Sequence, residues 1–82
     1  MGQVLGFPSV DPDDVRIGAR LRRWRTQRHA ELDALAEAIH LTPEDVRLIE
    51  AGRRHLTTTQ LGAATHALHL PLWALVSDTP AY

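Results

Sequence analysis

The stretch from Leu32 to Arg54, LDALAEAIHLTPEDVRLIEAGRR, decides the fold. Leu32, Leu35, Ala36 and Ile39 recur at i, i+3, i+4 and i+7, the apolar stripe of a short helix ending near His40. Thr42-Pro43-Glu44-Asp45 then supplies a complete helix start. Threonine accepts from the free amides of the first turn, proline fits the first helical position, and two acids complement the positive helix end. The angular step of about 100° per residue turns Val46, Ile49 and Glu50 inward. It leaves Glu44, Asp45 and Leu48 outward, with Arg47 toward the flank, and so predicts an exposed leucine between acids. Gly52 is expected to end this helix.

The flanks carry the same logic. Asp11-Pro12-Asp13-Asp14 announces an earlier helix running to about Arg28, with Ile17, Leu21 and Trp24 on one stripe. Trp24 is therefore expected in the core. Thr57-Thr58-Thr59-Gln60 can cap a fourth helix carrying Leu61, Ala64 and Leu68, and Pro71 opens a last short helix with Leu72, Leu75 and Val76 inward. Residues 1–10 have no sustained period and read as an N-terminal arm; residues 77–82 read as a tail. The expectation is an all-α domain over residues 11–76, built from five short helices, with no strand pattern and no internal repeat.

Length and composition narrow the function classes. Eighty-two residues allow one domain, which argues against a multi-domain enzyme with its own cofactor fold. At 44% hydrophobic and 23% charged residues the chain is apolar enough to fold. It has no cysteine, which removes disulfides, a thiolate nucleophile and the common zinc sets. No stretch reaches the roughly 18 apolar residues of a membrane span, and no basic segment followed by an apolar run opens the chain. A cytoplasmic location is expected.

The net charge of -1 conceals an asymmetry. All nine basic side chains are arginines, and Arg16, Arg20, Arg22, Arg23, Arg25 and Arg28 form a segment of +6 without an acid. Residues 29–50 set six acids against Arg47 and carry -5. Such a division suggests an anionic or acidic partner, although a solvated arginine face accounts for it equally well.

Two short helices separated only by Leu41 and Thr42 make a helix-turn-helix pattern. Around it stand Ile17-Gly18-Ala19-Arg20-Leu21-Arg22, then Arg25, Leu35-Ala36-Glu37, Val46-Arg47-Leu48-Ile49-Glu50-Ala51-Gly52-Arg53-Arg54, Leu61, Ala67-Leu68, Leu72 and Leu75. Over residues 16–76 these resemble the Cro/repressor-type, or xenobiotic-response-element, helix-turn-helix family. The resemblance implies a compact lambda-repressor-like DNA-binding domain with its motif at helices 2 and 3. It implies an ion pair between Arg25 and Glu50 that sets the register of two helices, and a glycine, Gly52, where a positive φ is required.

In relatives the third helix enters the major groove, and neighbouring residues hold phosphates. The resemblance places Thr42, Pro43, Glu44, Asp45, Arg47 and Leu48 near base edges and Arg22, Arg23, Arg53, Arg54 and His55 near phosphates. The chain departs from the pattern here. Two acids would face a phosphate-lined groove, where a cytosine amino group is the ready carboxylate partner. Pro43 offers no side-chain donor, Leu32 replaces a polar phosphate contact at the start of the second helix, and His40 stands where a turn glycine is common. Capping and the helix dipole explain Glu44 and Asp45 without any partner.

Two functions follow as expectations. One is a transcriptional regulator, a repressor or antitoxin-like autoregulator, binding double-stranded DNA as a homodimer on a pseudo-palindrome. The other is a helix-turn-helix module turned to protein recognition through Glu44, Asp45 and Leu48. Trp73 falls on the outward side of the last helix, and the resemblance to phage repressors implies a dimer contact through Leu70, Leu72, Trp73, Val76 and Tyr82. His66 and His69 share a spacing of three but have no carboxylate or cysteine beside them, so surface and cap histidines are expected and no metal. Ser9 and Ser77 lack a nucleophile motif, and phosphate loops are absent. Neither an enzyme nor a cofactor is expected.

Overall fold

The computed structural model describes residues 11–76. The expected arm at 1–10, the tail at 77–82 and the interface candidate Tyr82 lie outside the described residues. Helix α1 spans Pro12–Gln27, α2 Leu32–Ala38, α3 Pro43–Glu50 and α4 Thr58–Ala67, and a 3-10 turn follows over Leu72–Leu75.

The count of five helices is thus corrected to four α-helices and one turn. Pro71 has no side-chain acceptor for the free amides that follow it, and four residues do not repay helix nucleation. Burial there is corrected as well. Of the three residues expected inward only Leu75 is buried, joined by Ala74, while Leu72 is 55% and Val76 52% exposed. The 3.6-residue phase that assigned them does not apply to a single 3-10 turn, whose position along its own short length decides what meets the core.

Three of the four helix starts use the chemistry encoded beside them, while α2, which follows Glu31, has no side-chain cap. The Asp11 carboxylate accepts from the Asp13 amide at 2.8 Å, with proline at the first position of α1. Thr42 and Asp45 form a reciprocal capping box on α3, and Thr57 and Gln60 form another on α4.

The helix ends share one design. In all four, two backbone bonds close a Schellman motif, for example Leu41 N–H to Ala36 C=O at 2.9 Å and His40 N–H to Glu37 C=O at 3.2 Å. The motif needs a left-handed residue. Gly52 fills it after α3 with φ +78°, but His29, His40 and His69 fill it after α1, α2 and α4 with φ of 56°, 60° and 58°. Three of the five histidines therefore work through their backbone. Because a side chain in this region costs about 1–2 kcal/mol and glycine's extra freedom when unfolded takes back part of that gain, His40→Gly should stabilise the domain by about 0.5–1 kcal/mol. A urea midpoint unchanged or lowered would contradict this reading.

The core is continuous across the elements. Leu21, Leu35, Val46, Ile49 and Leu75 are fully buried, and Leu56 anchors the loop between α3 and α4 into the same cluster. Helix α1 packs chiefly on α3, α2 on α3 and α4, and the 3-10 turn on α4 and α1. Trp24 packs against the core and carries the Arg28 guanidinium over its ring at 5.3 Å. Among the described residues no helix is long and apolar enough to cross a membrane.

Gly18 lies at the crossing of α1 and α3. A Cβ there would sit 2.0 Å from the Ile49 carbonyl oxygen, so the two backbones approach as closely as they do only because the side chain is missing. With the small residue at the crossing, Val46 and Ile49 of α3 share one buried cluster with Leu21 of α1.

Candidate functional site

Helix α3 is held from below by Glu50. Its side chain is 7% exposed and accepts twice from Arg25, itself 19% exposed, at 2.6 Å from Nε and 3.1 Å from Nη2. The other terminal nitrogen of Arg25 donates to the Ala30 carbonyl at 3.2 Å, just before α2. One guanidinium therefore ties α1 to both helices of the motif. Glu50 raises the Arg25 group above its ordinary value against the opposing effect of burial.

The remaining arginines of the +6 segment divide by partner. Arg16 pairs with Asp13. Arg20 donates to the Leu75 carbonyl at 3.1 Å and Arg28 to the Leu68 carbonyl at 3.1 Å, which joins α1 to the turn and to the negative end of α4. Arg22 and Arg23 have no ion-pair partner among the described residues, and the same holds for Arg53 after α3. Much of the basic segment thus serves to assemble the domain. The periodicity of α1 did not reveal this, because the acceptors are main-chain carbonyls some 40 and 55 residues away in sequence.

Arg22 points to the rest of the site. With Arg25, Leu32, Arg47, Glu50 and Ala51 it lines an open cleft of about 320 Å³ between α1, the start of α2 and the flank of α3. Three guanidiniums surround one carboxylate, leaving the cleft positive and of a size to admit a phosphate-like group.

The outward face of α3 is less acidic than its sequence. Thr42 is the cap, and Pro43 occupies the first helical position and is half-buried. Asp45 spends one oxygen on the Thr42 amide at 3.1 Å and the other on Arg54 Nη1 at 2.7 Å. Hydrogen bonding from Thr42, with a smaller contribution from Arg54, holds its carboxyl below the usual carboxylate range. Glu44 is exposed and meets Arg47 at 3.4 Å. Leu48 is half-buried, not the exposed leucine expected. The loop after α3 is fixed to α1 by His55, whose Nδ1 lies 2.8 Å from a largely buried Asp14 carboxylate. Arg54 and His55 thus both have partners within the chain.

Two site features escaped the residue-by-residue reading. The Asp14–His55 contact joins positions 41 residues apart and has no local signal. Gly18 does have one: a glycine inside a long helix costs about 1 kcal/mol against alanine, so its presence asks for a packing reason.

Among the 3-10 residues, Trp73 is 44% exposed and forms an apolar patch with Leu72 and Val76, whereas Leu70 turns back and packs on the protein's own core. No set of three or more potential metal ligands occurs among the described residues.

A short helix pair with its second member braced by a cross-helix ion pair and flanked by arginines defines a helix-turn-helix domain. The chain belongs to this family: residues 16–73 match the one described as "Helix-turn-helix domain", of the xenobiotic-response-element type. The clp gene regulator ClgR from Corynebacterium glutamicum is similar at 27% identity and a TM-score of 0.76, over 82% of this chain and 71% of that one. The restriction-modification controller protein C.AhdI from Aeromonas hydrophila is 28% identical with a TM-score of 0.73, over 79% of this chain and 98% of its own. A hypothetical transcription factor from Neisseria shares the fold at 15% identity and a TM-score of 0.74, over 95% of this chain and 90% of that one. No curated protein matches the chain.

Proposed function

We propose that the protein is a sequence-specific DNA-binding transcriptional regulator, a repressor or autoregulator and not an enzyme, that acts as a homodimer in the cytoplasm. The observation that carries this reading is the Arg22–Arg47 cleft beside α3, with Arg54 held against the first turn of the same helix. These cations bracket the outward face of a helix whose depth and register are set by Glu50. In this placement α3 lies in the major groove, with Thr42, Glu44 and Arg47 nearest the base edges and Arg22, Arg23 and Arg53 on phosphates. ClgR and C.AhdI, regulators by name, support the same class of role.

Binding to genomic fragments at two salt concentrations tests this. Arg22→Ala should weaken all duplexes alike and reduce the salt slope by about 0.9, whereas Arg47→Ala should also relax preference among fragments, at about 1–3 kcal/mol for the lost contact. Equal binding by all three proteins would reject the placement.

The Leu72, Trp73 and Val76 patch supplies the proposed dimer contact, which would set two α3 helices about 34 Å apart. Sedimentation should show a concentration-dependent dimer that Trp73→Ala weakens by at least tenfold, since an aromatic anchor at an interface is worth about 2 kcal/mol. A wild-type monomer at every concentration would remove this part of the proposal.

The competing protein-recognition reading depended on an acidic, apolar face at Glu44, Asp45 and Leu48. With both Asp45 oxygens engaged and Leu48 half-buried, that face is reduced to Glu44.

A further inference from the structure

The two acids in the first turn of α3 are each matched to an arginine of the proposed contact set, but the two pairs differ. Glu44 and Arg47 are one turn apart, exposed and 3.4 Å from each other, a loose pair that a phosphate displaces at little cost. Asp45 and Arg54 are nine residues apart and 2.7 Å from each other. The carboxylate of that pair is already oriented by the Thr42 amide and cannot swing away without opening the capping box. A phosphate that recruits Arg54 must therefore break a pair whose acid stays in place.

We propose that Asp45 is a specificity-determining residue that acts through Arg54 and not by reading a base. This rests on the DNA-binding reading above. By holding the Arg54 guanidinium within the chain, Asp45 withholds one cation from phosphates of arbitrary DNA and keeps non-specific affinity low. Where a groove geometry brings a phosphate within bidentate reach, Arg54 exchanges partner, so the cost falls mainly on non-cognate sites. An acid on the reading helix, which looks out of place against a polyanion, then serves discrimination between sites.

Asp45→Asn separates charge from capping, because the amide oxygen still accepts from Thr42 while the attraction for Arg54 is lost. The measurement is binding of the full chain to a short mixed-sequence duplex and to the tightest genomic fragment across a salt series. D45N should bind the mixed duplex roughly three- to tenfold more tightly at low salt, with a slope steeper by about 0.9 for one added phosphate contact. The gain on the tightest fragment should be smaller. Arg54→Gln alone should weaken mixed-duplex binding by baring the Asp45 carboxylate to phosphates while leaving the salt slope unchanged, because no phosphate contact is lost, and D45N combined with R54Q should return to the wild-type level.

Three results would overturn the inference: an unchanged slope in D45N, an equal gain in Glu44→Gln, or a mixed-duplex salt slope lowered by about 0.9 in R54Q, which would mean that Arg54 already holds a phosphate in the wild type. The last decides the matter even if D45N folds poorly. Failure of the wild type to bind any duplex at low salt would instead remove the DNA-binding reading, and this inference with it.

Discussion

Gly18→Ala should abolish the native packing of α1 on α3, with a loss of about 3 kcal/mol or more. The added methyl would lie 2.0 Å from the Ile49 carbonyl oxygen, and the obstacle is main chain, which no side-chain rotation relieves. Alanine's better helix propensity returns only about 1 kcal/mol, so the steric cost decides the sign. The same substitution at Gly62, in α4, meets nothing within 4 Å and should stabilise by about 0.5–1 kcal/mol. Urea unfolding of the two variants provides a matched comparison. A Gly18→Ala protein as stable as the wild type would mean that α1 and α3 do not cross this closely in solution. The consequence for the proposed function is direct, since Arg22 on α1 and Arg47 on α3 share a cleft only while the helices keep this spacing.

Glu50→Ala should cost about 3 kcal/mol by leaving the Arg25 guanidinium poorly solvated and unpaired between three helices. A domain of this size is stable by only about 3–10 kcal/mol, and its melting temperature should fall by about 15 °C. Most of that loss reflects the stranded charge and not the intrinsic worth of the pair. Replacing both partners with apolar residues, Arg25→Met with Glu50→Leu, should therefore recover much of the stability. A double variant no better than Glu50→Ala would show that the pair is strongly stabilising in its own right. Binding of the recovered double variant to DNA then asks a separate question. If the pair sets the orientation of α3, stability should return without full affinity.

The helices were legible because their signals are local. Asp11, Thr42 and Thr57 each cap the helix their neighbours require, and the stripes of α1 to α4 agree with the buried residues Leu21, Leu35, Val46, Ile49 and Leu61. The segment after Pro71 failed the same test, since a four-residue turn has no stripe to read and Leu72 and Val76 stayed outside. The site was legible in its membership more than in its connections. Arginines and acids could be assigned to faces, but not to each other.

What the sequence by itself determined, then, is the set of helix starts and stops, the apolar faces and the resemblance that joins them into a motif. These depend on interactions within a few residues, which order along the chain specifies. Only the tertiary structure decided that Gly18 is a contact and not merely a tolerated weakness, that Arg20 and Arg28 serve main-chain carbonyls, and that Asp45 is committed to Arg54. Each joins groups distant in sequence or depends on sub-ångström clearance between backbones. Charge and periodicity are properties of single residues and windows, whereas pairing is a property of where the helices finally meet.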